Sequence, residues 1–125
     1  MRTISIVDDD KWARDGIREL VESLGYGART FESAEQFLQS GASGETLCLI
    51  VDIQMPGLNG FDLQRVLKER GYRIPVVFIT AFPDERRRTS AFEAGAIGFL
   101  SKPFEEQSLI NCLALAVKPL GGTSV

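Results

Sequence analysis

Apolar residues fall along this chain in two alternating rhythms. Short, nearly continuous apolar runs read as strands buried on both faces. The longer stretches between them, apolar at every third or fourth position, read as amphipathic helices. The first run, Thr3–Val7, ends in Asp8-Asp9-Asp10. Residues 11–24 follow with Ile17, Leu20, Val21 and Leu24 at helical spacing, and Gly25 is placed to end that helix in a left-handed conformation. Residues 26–31 form a short second strand. Ser33-Ala34-Glu35-Gln36 has the form of a capping box before a second helix with Ala34, Phe37 and Leu38 on one face. Residues 41–45 read as a loop. Leu47-Cys48-Leu49-Ile50-Val51 then runs straight into Asp52, and the chain breaks at Met55-Pro56-Gly57. Asn59 is placed to cap a third helix beginning near Gly60, with Leu63, Val66 and Leu67 as its buried stripe and Gly71 as its end. Residues 75–80 make a fourth strand. Residues 84–94 make a fourth helix with acids at its positive end and Gly95 after it. Residues 96–100 make a fifth strand, and residues 105–117 a last helix with Leu109, Cys112, Leu113 and Ala116 in register.

Strand and helix alternate five times, which predicts an α/β fold: a parallel sheet covered by helices on both faces. Right-handed crossovers reach both faces only if the strand order reverses somewhere. The length of 125 residues suits one domain with a real core, and 44% hydrophobic with 25% charged residues is a globular balance. A net charge of -3 predicts no direct nucleic-acid binding by this domain. No apolar run approaches membrane-spanning length, so no membrane partner is expected. The strand pattern starting at Thr3 leaves no room for a signal peptide, so a cytoplasmic location is expected. Cys48 and Cys112 lack the spacing of a metal or redox motif and read as small core residues. There is no histidine, which excludes any chemistry needing an internal imidazole.

The polar residues that interrupt this pattern are the informative ones. Asp8 and Asp9 follow the first strand, Asp52 ends the third, Thr80 ends the fourth, and Lys102 follows the fifth. In a parallel sheet these ends share one edge, the edge where ligands bind. Three carboxylates converging there repel one another, and Lys102 alone does not balance them. A hard divalent cation would: Mg2+, or Mn2+ in its place, with Asp9 and Asp52 as direct ligands, Asp8 on a water of its shell, and the backbone carbonyl of Gln54 as a further oxygen. A Walker loop, a Ser or Cys nucleophile with a base, and a zinc cluster are all missing from the sequence. A carboxylate beside a cation, a lysine and a hydroxyl suits phosphoryl transfer. Asp52 would be the phosphoacceptor and become an acyl phosphate. Thr80 and Lys102 would bind the phosphoryl oxygens, and any phosphohistidine donor must belong to a partner.

The motifs I-V-D-D-D (6–10), V-D-I-Q-M-P-G-L-N-G (51–60), V-F-I-T-A (77–81) and G-F-L-S-K-P-F (98–104) resemble those of two-component response regulator receiver domains, over essentially the whole chain. The wording of the second and fourth is most similar to the FixJ-type branch. The resemblance implies a flavodoxin-like (CheY-like) five-stranded parallel sheet of order 2-1-3-4-5. It implies Asp52 as phosphoacceptor, Asp8 and Asp9 as the acidic metal pocket, Thr80 as switch hydroxyl, Phe99 as switch aromatic, and a cis Lys102-Pro103 peptide. It also implies a sensor histidine kinase or phosphotransfer protein as donor, and a dimer or output domain, normally a transcriptional one, as the target.

Phosphorylation adds roughly -1.5 to -2 charge. Thr80 is expected to move toward it and Phe99 to fill the vacated space. That change would remodel the face made by the fourth helix, fifth strand and fifth helix. Gln54 and Phe82 flank the phosphoryl position and are expected to tune dephosphorylation. Trp12 is expected to pack near the site. Arg86-Arg87-Arg88 fans around its helix and reads as solvated surface, or as a partner for acids such as Glu105 across a dimer. Residues 1–118 read as the receiver and 119–125 as a linker or free tail. Two other functions compete. A haloacid-dehalogenase-type phosphatase needs a second acid two residues after the nucleophile, where this chain has Gln54. A pseudo-receiver binding module normally lacks part of the acidic set, and here all of it is present.

Overall fold

The computed structural model describes residues 3–117. Its elements alternate as β1 (Thr3–Val7), α1 (Lys11–Ser23), β2 (Ala28–Phe31), α2 (Ala34–Gln39), β3 (Thr46–Asp52), α3 (Gly60–Glu69), β4 (Val76–Thr80), α4 (Glu85–Glu93), β5 (Gly98–Ser101) and α5 (Glu106–Ala116). The five strands form one sheet of order β2-β1-β3-β4-β5, and every pairing is parallel. The expected flavodoxin-like architecture is the one observed. The boundary expected at 118/119 and the tail at 119–125 lie outside the described residues.

Period-two alternation along the central strands feeds two cores, one on each face of the sheet. Ile4, Ile6, Cys48, Ile50, Val77 and Ile79 point toward α1 and α5, where Ile17, Val21, Leu109, Cys112 and Leu113 cover them. Val7, Leu49, Val51, Val76 and Phe78 point the other way, under Ala34 and Phe37 of α2, Leu63 and Leu67 of α3 and Ala91 of α4. Both cysteines are buried, as expected. The order reverses between β1 and β3, because the chain goes outward to β2 and then crosses back past β1. That reversal is the switch point at which such sheets bind ligands.

Register then positions the strand ends. Val7 pairs with Val51, Asp52 with Ile79, and Thr80 with Ser101. The next residues out, Asp8 and Lys102, therefore emerge at the same edge as Asp52 and Thr80.

Local details differ from the sequence pattern in instructive ways. Ser33 caps α2 by accepting from the Gln36 N–H, but the Gln36 side chain bonds the Glu32 N–H and not the Ser33 N–H, so no reciprocal box forms. The reciprocal box is at α3 instead: Asn59 accepts from Asp62 N–H and the Asp62 carboxylate accepts from Asn59 N–H. The loop expected at 41–45 contains a 3-10 turn, Ala42–Glu45. Gly25 does adopt a positive φ of 95° after α1. Strand β5 begins at Gly98, two residues later than the apolar run suggests.

Candidate functional site

Three strand ends at this edge are built on one local device. Asp8 Oδ1 accepts from the Asp10 N–H at 2.9 Å, Asp52 Oδ1 from the Gln54 N–H at 3.0 Å, and Thr80 Oγ1 from the Phe82 N–H at 3.1 Å. In each, a side-chain oxygen turns the chain out of its strand by holding the N–H two residues on. A carboxylate has a second oxygen left over, whereas a hydroxyl has none.

The spare oxygens of the two acids meet one cation. Lys102 Nζ lies 2.8 Å from Asp8 Oδ2 and 2.8 Å from Asp52 Oδ2. Asp8 is fully buried, Asp52 is 6% exposed, and Asp9 is exposed at the rim. One oxygen from each of the three acids lies within 4.8 Å of the others. Burial pushes the Asp8 carboxyl above its ordinary value. The Lys102 ammonium beside it and the Asp10 N–H oppose this, and the Asp52 charge adds to it. Burial also works against the Lys102 charge, but the Asp52 and Asp8 carboxylates beside it outweigh that and raise its pKa overall.

The cluster thus carries excess negative charge. Asp8 Oδ2, although close to Lys102, has no hydrogen bond of acceptable angle. An enclosed, under-bonded carboxylate oxygen beside two further carboxylates fits a hard divalent cation with oxygen ligands.

The residues around this cluster hold it in place. Gly60 opens α3 directly behind Asp52: a Cβ there would stand 2.7 Å from the Asp52 carbonyl oxygen and 3.1 Å from Ile53 Cα. Asp10 caps α1 through the Trp12 N–H. The Lys102-Pro103 peptide is cis, as expected, and the Lys102 N–H donates to the Thr80 carbonyl at 2.8 Å. Phe99 is half-buried and packs against the core under α2, α3 and α4. Gln54 is exposed, and Phe82 is 64% exposed at the rim of the β4–α4 loop.

The sequence pattern misplaced Trp12. It is 82% exposed and packs against no core. Five residues before Ile17 and nine before Val21, it points about 140° and 180° from the buried stripe of α1 at 3.6 residues per turn. It borders an open groove of about 470 Å³ with Ile17, Pro103 and Phe104, beside Lys102. A larger cavity of about 670 Å³, lined by Leu67, Tyr72, Ile74 and Ile97 among others, lies at the opposite end of the strands, so size does not mark the site.

Three contacts near the site were not foreseen. Arg14 donates to the Asp8 carbonyl at 2.8 Å, Glu35 on α2 accepts from the Leu58 N–H at 3.0 Å, and Arg87 on α4 donates to the Phe82 carbonyl at 2.7 Å. All three involve backbone groups, which any side chain of suitable length can reach, so no sequence pattern announces them.

This fold and this acidic edge agree with what the chain is similar to. Residues 4–114 match the family described as the response regulator receiver domain, and the chain belongs to that family. It is a signalling module, not an enzyme of the ordinary kind. The response regulator protein TodT of Pseudomonas putida is 39% identical over 115 residues, covering 92% of this chain and 51% of TodT. The transcriptional regulatory protein FixJ of Bradyrhizobium diazoefficiens is 32% identical, covering 92% of this chain and 56% of FixJ. The solved structure of the response regulator StyR superposes with a TM-score of 0.84 at 41% identity, covering 93% of this chain and 59% of that one. The FixJ-type resemblance is thereby borne out. The chain spans about half the length of the curated relatives it matches. Among the described residues, no helix is long and apolar enough to cross a membrane.

Proposed function

We propose that this domain is a phosphorylation-driven switch that takes a phosphoryl group onto Asp52 from a phosphohistidine of a sensor histidine kinase or phosphotransfer protein. The observation that carries this reading is the shared ammonium: Lys102 lies 2.8 Å from both Asp8 and Asp52, inside a cluster of three carboxylates.

A carboxylate oxygen of Asp52 attacks phosphorus. A new O–P bond forms, the P–N bond breaks, and the donor imidazole nitrogen keeps the electron pair. Lys102 needs no reorganisation to neutralise charge on the incoming oxygens, which makes it an effective electrostatic partner. Bound by Asp8, Asp9, Asp52 and the Gln54 main-chain carbonyl, Mg2+ or Mn2+ would supply the divalent charge that offsets repulsion between these acids and a phosphoryl group. Thr80 then donates its hydroxyl to a phosphoryl oxygen, and Phe99 follows it inward. The α4-β5-α5 face changes as a result and controls a dimer or an output domain. By analogy with FixJ, whose name describes it as a transcriptional regulatory protein, that output is transcription. Residues 1–118 are the receiver in this reading, and 119–125 a linker or free tail.

Gln54 and Phe82 flank the approach of a hydrolytic water and set the lifetime of the acyl phosphate. An exposed side chain at position 54 without a carboxyl leaves no second acid for a phosphatase of the haloacid-dehalogenase type.

The test is to incubate the protein with Mg2+ and acetyl phosphate and measure its intact mass. A gain of one phosphoryl group that disappears in Asp52→Asn is expected. A gain that persists in Asp52→Asn, or no gain in the wild type, would overturn the reading and favour a pure binding module.

A further inference from the structure

Thr80 has a single side-chain oxygen, and that oxygen is committed to its own loop through the Phe82 N–H. A second contact lies on the far side of the same residue. Arg87 Nη1 donates to the Phe82 carbonyl at 2.7 Å. The Arg87 backbone N–H donates to Asp84 Oδ1 at 2.7 Å, and its guanidinium also approaches Asp84 Oδ2 at 3.3 Å. Asp84 is the N-cap of α4, so the guanidinium is anchored to the first turn of that helix.

Phe82 is therefore clasped on both of its backbone groups, by Thr80 on one side and by Arg87 on the other. Little else holds this loop. The Phe82 ring is 64% exposed, Pro83 has no N–H to donate, and α4 buries only Ala91. A charged donor on a carbonyl is a stronger tether than a neutral hydrogen bond.

We propose that Arg87 is a positioning residue: a latch that holds the Phe82 peptide and so keeps the Thr80 hydroxyl bonded into its own loop until the loop is drawn across. This rests on the reading of Thr80 as the switch hydroxyl. Arg87 also borders an open depression with Gln54, Met55 and Asn59, on the side toward the β3–α3 loop. The guanidinium thus lies between the Phe82 carbonyl that it holds and the depression on the β3–α3 side. In a two-state picture the latch lowers the population of the phosphoryl-ready arrangement, and removing it raises that population.

The test has two readouts on the whole chain. The first is amide hydrogen exchange in the unphosphorylated protein with no donor present. Arg87→Ala is expected to speed exchange at Phe82 by about tenfold, while core amides such as Ile79 and Val51 keep their wild-type rates. The second is the rate of phosphorylation by acetyl phosphate. Arg87→Ala is expected to react several-fold faster. Arg87→Lys, whose ammonium can still reach the Phe82 carbonyl, is expected to fall back toward the wild type. The acceleration should vanish in a Thr80→Ala background, because the latch acts through that hydroxyl.

Unchanged exchange at Phe82, or an acceleration that survives Thr80→Ala, overturns the proposal. Should Arg87→Ala fail to fold, Arg87→Gln gives the same two measurements with the bulk retained. If neither wild type nor variant gains phosphoryl mass, the functional reading falls, and the exchange data still decide whether Arg87 holds the loop.

Discussion

The acid side and the hydroxyl side of this site use the same turn and end in opposite conditions. Asp8 and Asp52 each spend one oxygen on the N–H two residues ahead and aim the other at Lys102. Thr80 spends its only oxygen on the turn. The acid side is assembled in advance, enclosed and charged. The hydroxyl side has its one oxygen held within its own loop. The burial of the neighbouring helices matches this contrast. Helix α3, behind Asp52, buries four residues and carries a reciprocal cap, whereas α4, behind the Thr80 loop, buries one. The clustered charge sits beside the better-packed helix, and the Thr80 loop sits where little packing opposes movement.

Breaking the acid side should produce the largest effect. Lys102→Ala is expected to slow phosphorylation by acetyl phosphate by about 10²- to 10³-fold, the usual cost of losing one fixed electrostatic partner. Intact mass against time measures this directly, and a loss of less than about fivefold would mean that Lys102 only balances charge at rest. Gly60→Ala attacks the scaffold of the same side. Its methyl would meet the Asp52 backbone at 2.7 Å, and the expected loss is about 2 kcal/mol of unfolding free energy in urea. A milder break comes from Asn59→Ala, which removes the acceptor for the Asp62 N–H and should cost about 1 kcal/mol.

The same cap gives a pH dependence with a definite sign. The Asn59 N–H, and then Arg65, hold the Asp62 carboxyl below its usual 3.8. An acid depressed in the folded state contributes stability above its unfolded pKa, and that contribution is lost as pH falls through the lower folded value. Thermal melts of the wild type should therefore weaken below about pH 4, and Asp62→Asn should have a shallower acid limb. Because Asp62 lies at the surface, the difference will be small.

The smallest expected effect sharpens the hydroxyl side. Phe82 is exposed and anchors nothing, so Phe82→Ala should leave stability unchanged. It should speed loss of the phosphoryl group only about two- to fivefold, a barrier change of roughly 0.5–1 kcal/mol. Decay no faster than the wild type would remove Phe82 from the set that tunes dephosphorylation.

Much of this was legible without coordinates, for a simple reason. A buried strand is a run of apolar residues, and a polar residue at its end has to face an edge. The run Leu47–Val51 ending at Asp52 announces both the strand and its charged terminus. The five strand-end residues Asp8, Asp9, Asp52, Thr80 and Lys102 were found this way. Trp12 obeys its helical phase, which the pattern of Ile17 and Val21 already contains, and not its closeness in sequence to the acids.

What the sequence determined by itself is whatever depends on period and on chain order: the strand and helix alternation, the buried faces, and the shared edge of the strand ends. What only the tertiary structure decided is whatever depends on which neighbour arrives. Gln64 and Val66 lie about 80° to either side of the Leu63–Leu67 stripe at 3.6 residues per turn, so helical phase cannot choose between them. The structure buries Gln64, because the end of α4 packs there and the Gln64 amide donates to the Ala94 carbonyl at 3.1 Å, beside a bond from Lys68 to the same oxygen. Arg87 is the same case: of three consecutive arginines, it is the one that meets a backbone carbonyl of the β4–α4 loop. Periodicity says which way a side chain points, and only the folded chain supplies what it meets there.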